Sequence, residues 1–339
     1  MIKPEKQFFL FGMGDREKYI YKNKALIRYR DNKILYAWNG YDEEFKYNEY
    51  KVILSKKHKK RVILFENEDG FFVNNECLSA SKINLPTFDG HKYQKHLRIL
   101  HHEILVNIFD GKPVPNYFVY KKPWYRDGAM MGMVLKATNN LHLIKDWIFS
   151  LTELYDRNNA GNEEPDNLGQ LLYLISLVSD KNYPLVEKII QEAKRITKNG
   201  VLTGLTDFNK HEIYSTKWLK FALKELNLDA DFINIPMEFD SYARMFWMDR
   251  DEIEISTKYD NCYNGFYPYL WWAVKHFENE PIDEEHLEIK YPMSWEQVAS
   301  QADYEGIRQL SRIYANCKYS APHTWHGAEM FLYLLEMEK

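Results

Sequence analysis

"KKPWYRDGAMMGMVLKATNN" (121–140) sets Trp124, Tyr125, Arg126 and Asp127 directly ahead of a run of small and apolar residues that reads as a buried helix. A helix apolar along its whole body belongs in a core, packed on every side. Polar groups are then admitted only at its ends. At the first turn the backbone N–H groups lack helical partners and a partial positive charge accumulates. The arginine and the acid therefore mark a helix mouth that faces something polar.

The arrangement recurs along the chain. Cutting at the breakers from "YQKHLRILHHEILVNIF" onward predicts helical segments over 90–109, 126–138, 142–156, 166–178, 183–197, 213–226, a short one near 230, then 239–248, 267–277, 294–303, 304–315 and 324–337. The second member of each successive pair opens on polar and aromatic residues: "WYRDGA", "EEPDNLGQ", "HEIYSTKW", "EFDSYARMFW", "SWEQVASQA" and "HTWHGAE". Six helical hairpins closed into a ring, with the inner helices all running one way, would gather these openings around one cavity. The expected fold is mainly α, an (α/α)6 toroid over 89–339.

Residues 1–88 read differently. "ALIRYRDNKILYAWNG", "YKVILS", "RVILFEN" and "GFFVNN" alternate or run apolar for a few residues, rich in β-branched and aromatic types and punctuated by turn residues. They predict a small β-sheet or sandwich-like unit. The basic "KKHKKR" (56–61) between two such strands reads as a solvated hairpin turn.

Composition narrows the function classes. Hydrophobic residues make up 45% and charged residues 28%, which fits a globular chain rather than a disordered one. Aromatic content is 16%, with 25 Tyr, 19 Phe and 9 Trp, and rings with a polar rim suit the flat faces of sugars as well as they suit a core. The formal charge of −4 offers no field for nucleic acid. Cys77, Cys262 and Cys317 show no CxxC spacing and read as reduced thiols, no stretch approaches the length needed to cross a bilayer, and the N-terminus is too charged for a secretory signal, so a cytoplasmic protein is expected. "FGMG" (11–14) lacks the spacing of a nucleotide loop, and neither G-x-S-x-G nor H-E-x-x-H occurs, so no cofactor is expected.

In "WYRDGAMMGMVL", "EEPDNLGQLLYLISLV" and "APHTWHGAEMFLYLL" the chain resembles the six-hairpin, (α/α)6-barrel glycosidases of the glucoamylase type, in which a β domain precedes the barrel. It departs from them in carrying Gly128 where W-x-R-D-A has alanine, in the small size of its β unit, and in lacking "LWEE". The resemblance implies a carbohydrate substrate and a catalytic acid from the loop before the sixth helix, "GLTDFNKHEIYSTKW", which offers Asp207 and Glu212. It also implies a base just before the last inner helix, where "IYANCKYSAPHTW" has no carboxylate.

Glycosidic hydrolysis needs one protonated carboxyl and one ionised one on opposite sides of the scissile bond. Glu212, flanked by His211, Tyr214 and Lys217 with Trp218 one turn on, is the expected acid; Glu296, beside Trp295 after Pro292, is the expected base. Glu329 is the alternative base, since inside so apolar a helix it must be paired or functional, and Glu164, Asp166 and Asp240 follow. The expected products of that pair are those of an inverting enzyme. Arg126 and Asp127 read as substrate holders or as an internal ion pair. Gln170, Tyr242 and His211 lie at predicted openings as sugar contacts, and Trp124, Trp218, Trp295 and Trp325 as stacking faces or core aromatics. His323 and His326 flank Trp325 without further ligands nearby, so they read as donors to hydroxyls and not as a metal site. Two other readings are a sugar epimerase using His211 and His323 as bases, and a catalytically silent glycan-binding barrel.

Overall fold

The computed structural model describes residues 4–158, 161–235, 295–297, 303–320 and 323–336, with only the backbone of Glu296 and Gln297. Nine strands fill the first 80 residues. Strands β1 (Phe8–Phe11), β2 (Tyr19–Lys22), β3 (Ala25–Arg28) and β4 (Lys33–Ala37) form one antiparallel meander; β5 (Asp42–Lys46), β6 (Lys51–Ser55), β7 (Val62–Glu66), β8 (Gly70–Val73) and β9 (Glu76–Ala80) form another. The period of two expected of a half-buried strand is visible in β6, where Val52 and Leu54 are buried and their neighbours are not. The basic stretch 56–61 is indeed the connection between the antiparallel β6 and β7. Phe11 and Tyr19 from the first sheet meet Phe71 of the second, with ring centroids 4.4 and 5.0 Å apart, so the sheets form a sandwich-like pair.

The helical part holds α1 (Gln94–Val106), α2 (Tyr125–Ala137), α3 (Lys145–Phe149), α4 (Asp166–Val178), α5 (Pro184–Ile196), α6 (Glu212–Glu225), α7 (Tyr304–Leu310), α8 (Arg312–Asn316) and α9 (Thr324–Glu336). Short two-residue ladders, β10 (Ile108–Phe109) with β11 (Lys112–Pro113) and β12 (Thr197–Lys198) with β13 (Val201–Leu202), close the turns after α1 and α5. Most helices begin within a few residues of where the apolar period places them. Helix α5 is the amphipathic exception among long helices: Pro184 sets its first turn and only Leu185, Val186, Ile189 and Ala193 are buried.

The (α/α)6 toroid, and with it the resemblance to six-hairpin glycosidases, is not what this chain forms. It has a mixed fold, sandwich-like sheets followed by nine α-helices among the described residues. The pairing on which a ring depends breaks in three places, one of them near residue 230, where the described chain is turn and coil in place of the expected short helix. Segment 142–156 yields a 3-10 turn at Leu141–Leu143 and the five-residue α3 instead of a full outer helix, because "SLTELYDRNN" leaves the apolar period. Segment 294–303 is not a helix where it is described: Glu296–Gln297 is strand β14, paired antiparallel with β15 (Tyr319–Ser320). Residues 239–248 and 267–277 lie outside the described residues.

A row of interior helices remains. Helix α2 packs between α9 and α4, α4 packs on α6, and α1 packs on α9. In α2 everything from Tyr125 to Leu135 is buried, and in α9 everything from Thr324 to Leu334. Close approach requires glycine at the crossings: a Cβ on Gly169 of α4 would lie 2.4 Å from the backbone nitrogen of Leu219 in α6, and one on Gly128 of α2 would lie 2.6 Å from the Trp147 ring. That contact explains why alanine is excluded at 128. The β sheets and the helices share one buried core, joined by His102 of α1 at 2.9 Å from the Leu10 carbonyl and by the Gly14 amide donating to Leu105.

Candidate functional site

The row of helices brings four of the predicted openings together: those of α2, α4, α6 and α9. Arg126, in the first turn of α2, is 5% exposed and reaches to the start of α4. Its Nε donates to Asp166 Oδ2 at 3.0 Å, its Nη2 to Glu164 Oε2 at 3.0 Å, and its Nη1 to Asp207 Oδ2 at 2.8 Å. The guanidinium is thus committed to three carboxylates and serves as an internal organiser, with partners other than the adjacent Asp127. Gln170 donates to Asp166 at 2.7 Å, and Thr206 links Asp166 to Ser215 of α6. Asp207 extends the cluster toward solvent, its side chain 38% exposed, while its amide donates to Glu164 Oε1 at 2.9 Å.

Three acids around one arginine leave an excess of negative charge in a buried place. Burial pushes the Glu164 carboxyl up to about 7, with Asp166 and Asp207 adding to the rise and Arg126 opposing it. Asp127 lies on the other flank of α2. Its Oδ1 accepts from the Trp325 amide at 3.1 Å and from Thr324 Oγ1 at 3.2 Å, so it satisfies the start of α9. Its Oδ2 sits 3.9 Å from His323 Nδ1, and burial raises this carboxyl too, to about 7.

Glu329 is the most telling group. It lies a turn inside α9, is 2% exposed, and neither carboxyl oxygen has a hydrogen-bond partner among the described residues. Burial alone drives its pKa well above the usual glutamate range, which favours the protonated form. Tyr214 of α6 is buried beside Arg126 and Asp166 and also senses Glu329 of α9.

The remaining sequence candidates divide. Trp124 and His323 lie together, ring centroids 5.1 Å apart, with Tyr120 stacked on His323 at 4.6 Å; His326 packs edge-on against Trp325 at 4.0 Å. His211 and Lys217 are buried at the start of α6. Glu212 is the half-buried first residue of α6, a position any glutamate favours electrostatically. Trp218 is no stacking face: it is fully buried against Gly169 and Tyr173 between α4 and α6. Trp295 likewise packs into the core, 5.7 Å from the Phe8 ring and 5.2 Å from that of Tyr314. Asp240, Tyr242 and the side chain of Glu296 lie outside the described residues, and with them the Glu212 to Glu296 spacing. The sequence named Glu164 and Asp166 without showing that they hold Arg126, since nothing local in "EEPDNLGQ" says which of its acids turns inward.

No family model matches the chain, and no solved structure matches it. Among the described residues no helix is long and apolar enough to cross a membrane.

Proposed function

We propose that the chain is a glycoside hydrolase that works by general acid/base catalysis at the joint mouth of α2, α4, α6 and α9. The observation that carries this reading is the Glu329 carboxyl, buried and without a hydrogen-bond partner among the described residues, inside the helix whose start is held by Asp127 of α2. Nothing in the core rewards an unpartnered carboxyl, whereas a proton donor for a leaving oxygen needs that state. In this mechanism Glu329 gives its proton to the glycosidic oxygen as the bond to the anomeric carbon breaks. Asp207, the carboxylate of the cluster that reaches solvent, takes a proton from the water that attacks that carbon. The water adds across the bond, and proton exchange with solvent restores both groups. Arg126 keeps Asp207 in place and lowers the cost of its charge. Trp124 supplies a ring beside the mouth, as sugar binding requires. The wide separation of Cys77, Cys262 and Cys317 along the sequence favours a cytoplasmic setting.

Release of reducing ends from a panel of oligo- and polysaccharides tests the reading. Glu329→Gln should lower turnover by about 10²–10⁴-fold without loss of fold, the usual contribution of a positioned proton donor. Unchanged turnover in that variant would remove Glu329 from the chemistry. The contact of His323 with Asp127 favours one second reading, a sugar epimerase with His323 as base. That reading predicts exchange of a sugar C–H with solvent deuterium, lost in His323→Ala and kept in Glu329→Gln.

A further inference from the structure

The loop leading into α6 carries a conformation that its sequence should resist. Thr206 and Asn209 exchange backbone hydrogen bonds of 2.8 and 3.1 Å around Asp207 and Phe208, whose φ angles are 47° and 65°. Two consecutive positive φ values make this the mirror-image hairpin turn that favours Asn-Gly. A phenylalanine at its second central position is sterically disfavoured, because Cβ crowds the following carbonyl oxygen. It gains no core packing in return, for Phe208 is 58% exposed and Leu205, at the same turn, is 52% exposed. The turn is nonetheless firmly seated. Asp207 is held by Arg126 and through its amide by Glu164, Thr206 is bonded to Asp166, and Gly204 lies so close to Pro165 that a Cβ there would come within 2.6 Å of the ring. Strain kept at a fixed place beside a buried charge cluster signals a task for the strained residue.

We infer that Phe208, with Leu205, is a substrate-binding platform at the rim of the site, stacking on a sugar ring of an oligosaccharide chain that extends outward from the reacting unit. The inference rests on the glycosidase reading. Its chemistry is that of the C–H face of a pyranose against an aromatic ring, and its position follows from Asp207, the neighbouring residue, being tied to Arg126. An apolar ring at the end of a rigid turn loses little entropy when a ligand covers it.

The test compares wild type, Phe208→Gly and Phe208→Trp in binding linear hexasaccharides of β-1,4-glucose, α-1,4-glucose, β-1,4-xylose and β-1,4-mannose, and the matching disaccharides, by calorimetry and tryptophan fluorescence. Glycine suits the backbone of this turn, so Phe208→Gly should keep or raise the melting midpoint while weakening the bound hexasaccharide tenfold or more and its disaccharide little. Phe208→Trp should retain affinity and change its emission on binding. Equal hexasaccharide affinity in wild type and Phe208→Gly overturns the platform and leaves the hydrolase reading standing if Glu329→Gln still abolishes turnover. A fall of several degrees in the Phe208→Gly midpoint assigns Phe208 to packing and overturns the inference as well. Failure of wild type to bind any of these chains overturns the inference together with the carbohydrate reading on which it rests.

Discussion

Among the described residues the molecule buries two arginine–carboxylate clusters, one in the β region and one at the helix mouths, and they are built on opposite principles. In the first, Glu66 of β7 accepts from the Gly12 and Met13 amides at 3.0 and 2.9 Å and from Arg16 at 3.2 Å. Arg16 also donates to the carbonyls of Glu68 and Ser81, and Lys18 donates to those of Gly12 and Gly14. One acid meets one arginine with Lys18 nearby, and spare donors end on backbone oxygens. In the second, one arginine faces Glu164, Asp166 and Asp207, with Asp127 next to it in α2 and Glu329 in α9, which packs on α2. The first cluster is closed and holds the "FGMGDREK" loop in shape. The second keeps an excess of acid that costs stability. A buried charge that is fully answered is architecture; one left over is available for chemistry.

The contrast predicts the largest effect on stability for Glu66→Ala. Removing the acid strands Arg16 and two amides in the core, and a loss of about 3–5 kcal/mol in denaturant unfolding is expected, with the site's chemistry unaltered in the fraction that folds. A loss below about 1 kcal/mol would show that the β cluster is not the latch described here. The helix-mouth cluster should respond in the other direction and by less. Glu164 binds its proton more tightly when folded, about 7 against an ordinary value of 4.5. Its favourable contribution is therefore fully present below about pH 4.5 and is lost as the pH rises through about 7. Measured against Glu164→Gln, which cannot ionise, wild-type stability should decline across that window and level off above it. The comparison between variants is needed because His101 and His102, held down to about 3 by burial, pull the other way as the medium is acidified below their usual 6.5. A flat difference between the two proteins would mean that the cluster is not acid-rich in the folded state.

Much of this was legible in the sequence, and the reasons for the rest are physical. Strand period and turn residues place β3, β4, β6, β7 and β8 but not β1, β2, β5 and β9, and the apolar runs of α2, α4, α6 and α9 place those helices nearly to the residue. Arg126 and Asp127 announced polar groups at a helix start, and the structure buries both there. What periodicity does not encode is how many helices close on one another: each opening says only that a helix starts there. A five-residue α3 and the β14 strand were enough to break the expected ring. Trp218 and Trp295 are spelled like stacking rings at openings, but direction decides, and both point into the core. The partners of Arg126 lie 38 to 81 residues away, and the Arg16–Glu66 pair is separated by 50, so neither cluster has a local signature. Glu329 was visible as an acid in an apolar helix, whereas its lack of any partner is a property of three dimensions.

The central claim is that Glu329 carries a proton at neutral pH within a folded, unligated protein. Infrared difference spectra between wild type and Glu329→Gln, taken from pH 5 to 8, report the carbonyl stretch of a protonated carboxylic acid directly. The account predicts a protonated-carboxyl band assigned to Glu329 that persists throughout this range. Its replacement by the carboxylate bands of an ionised glutamate below pH 7 would contradict it.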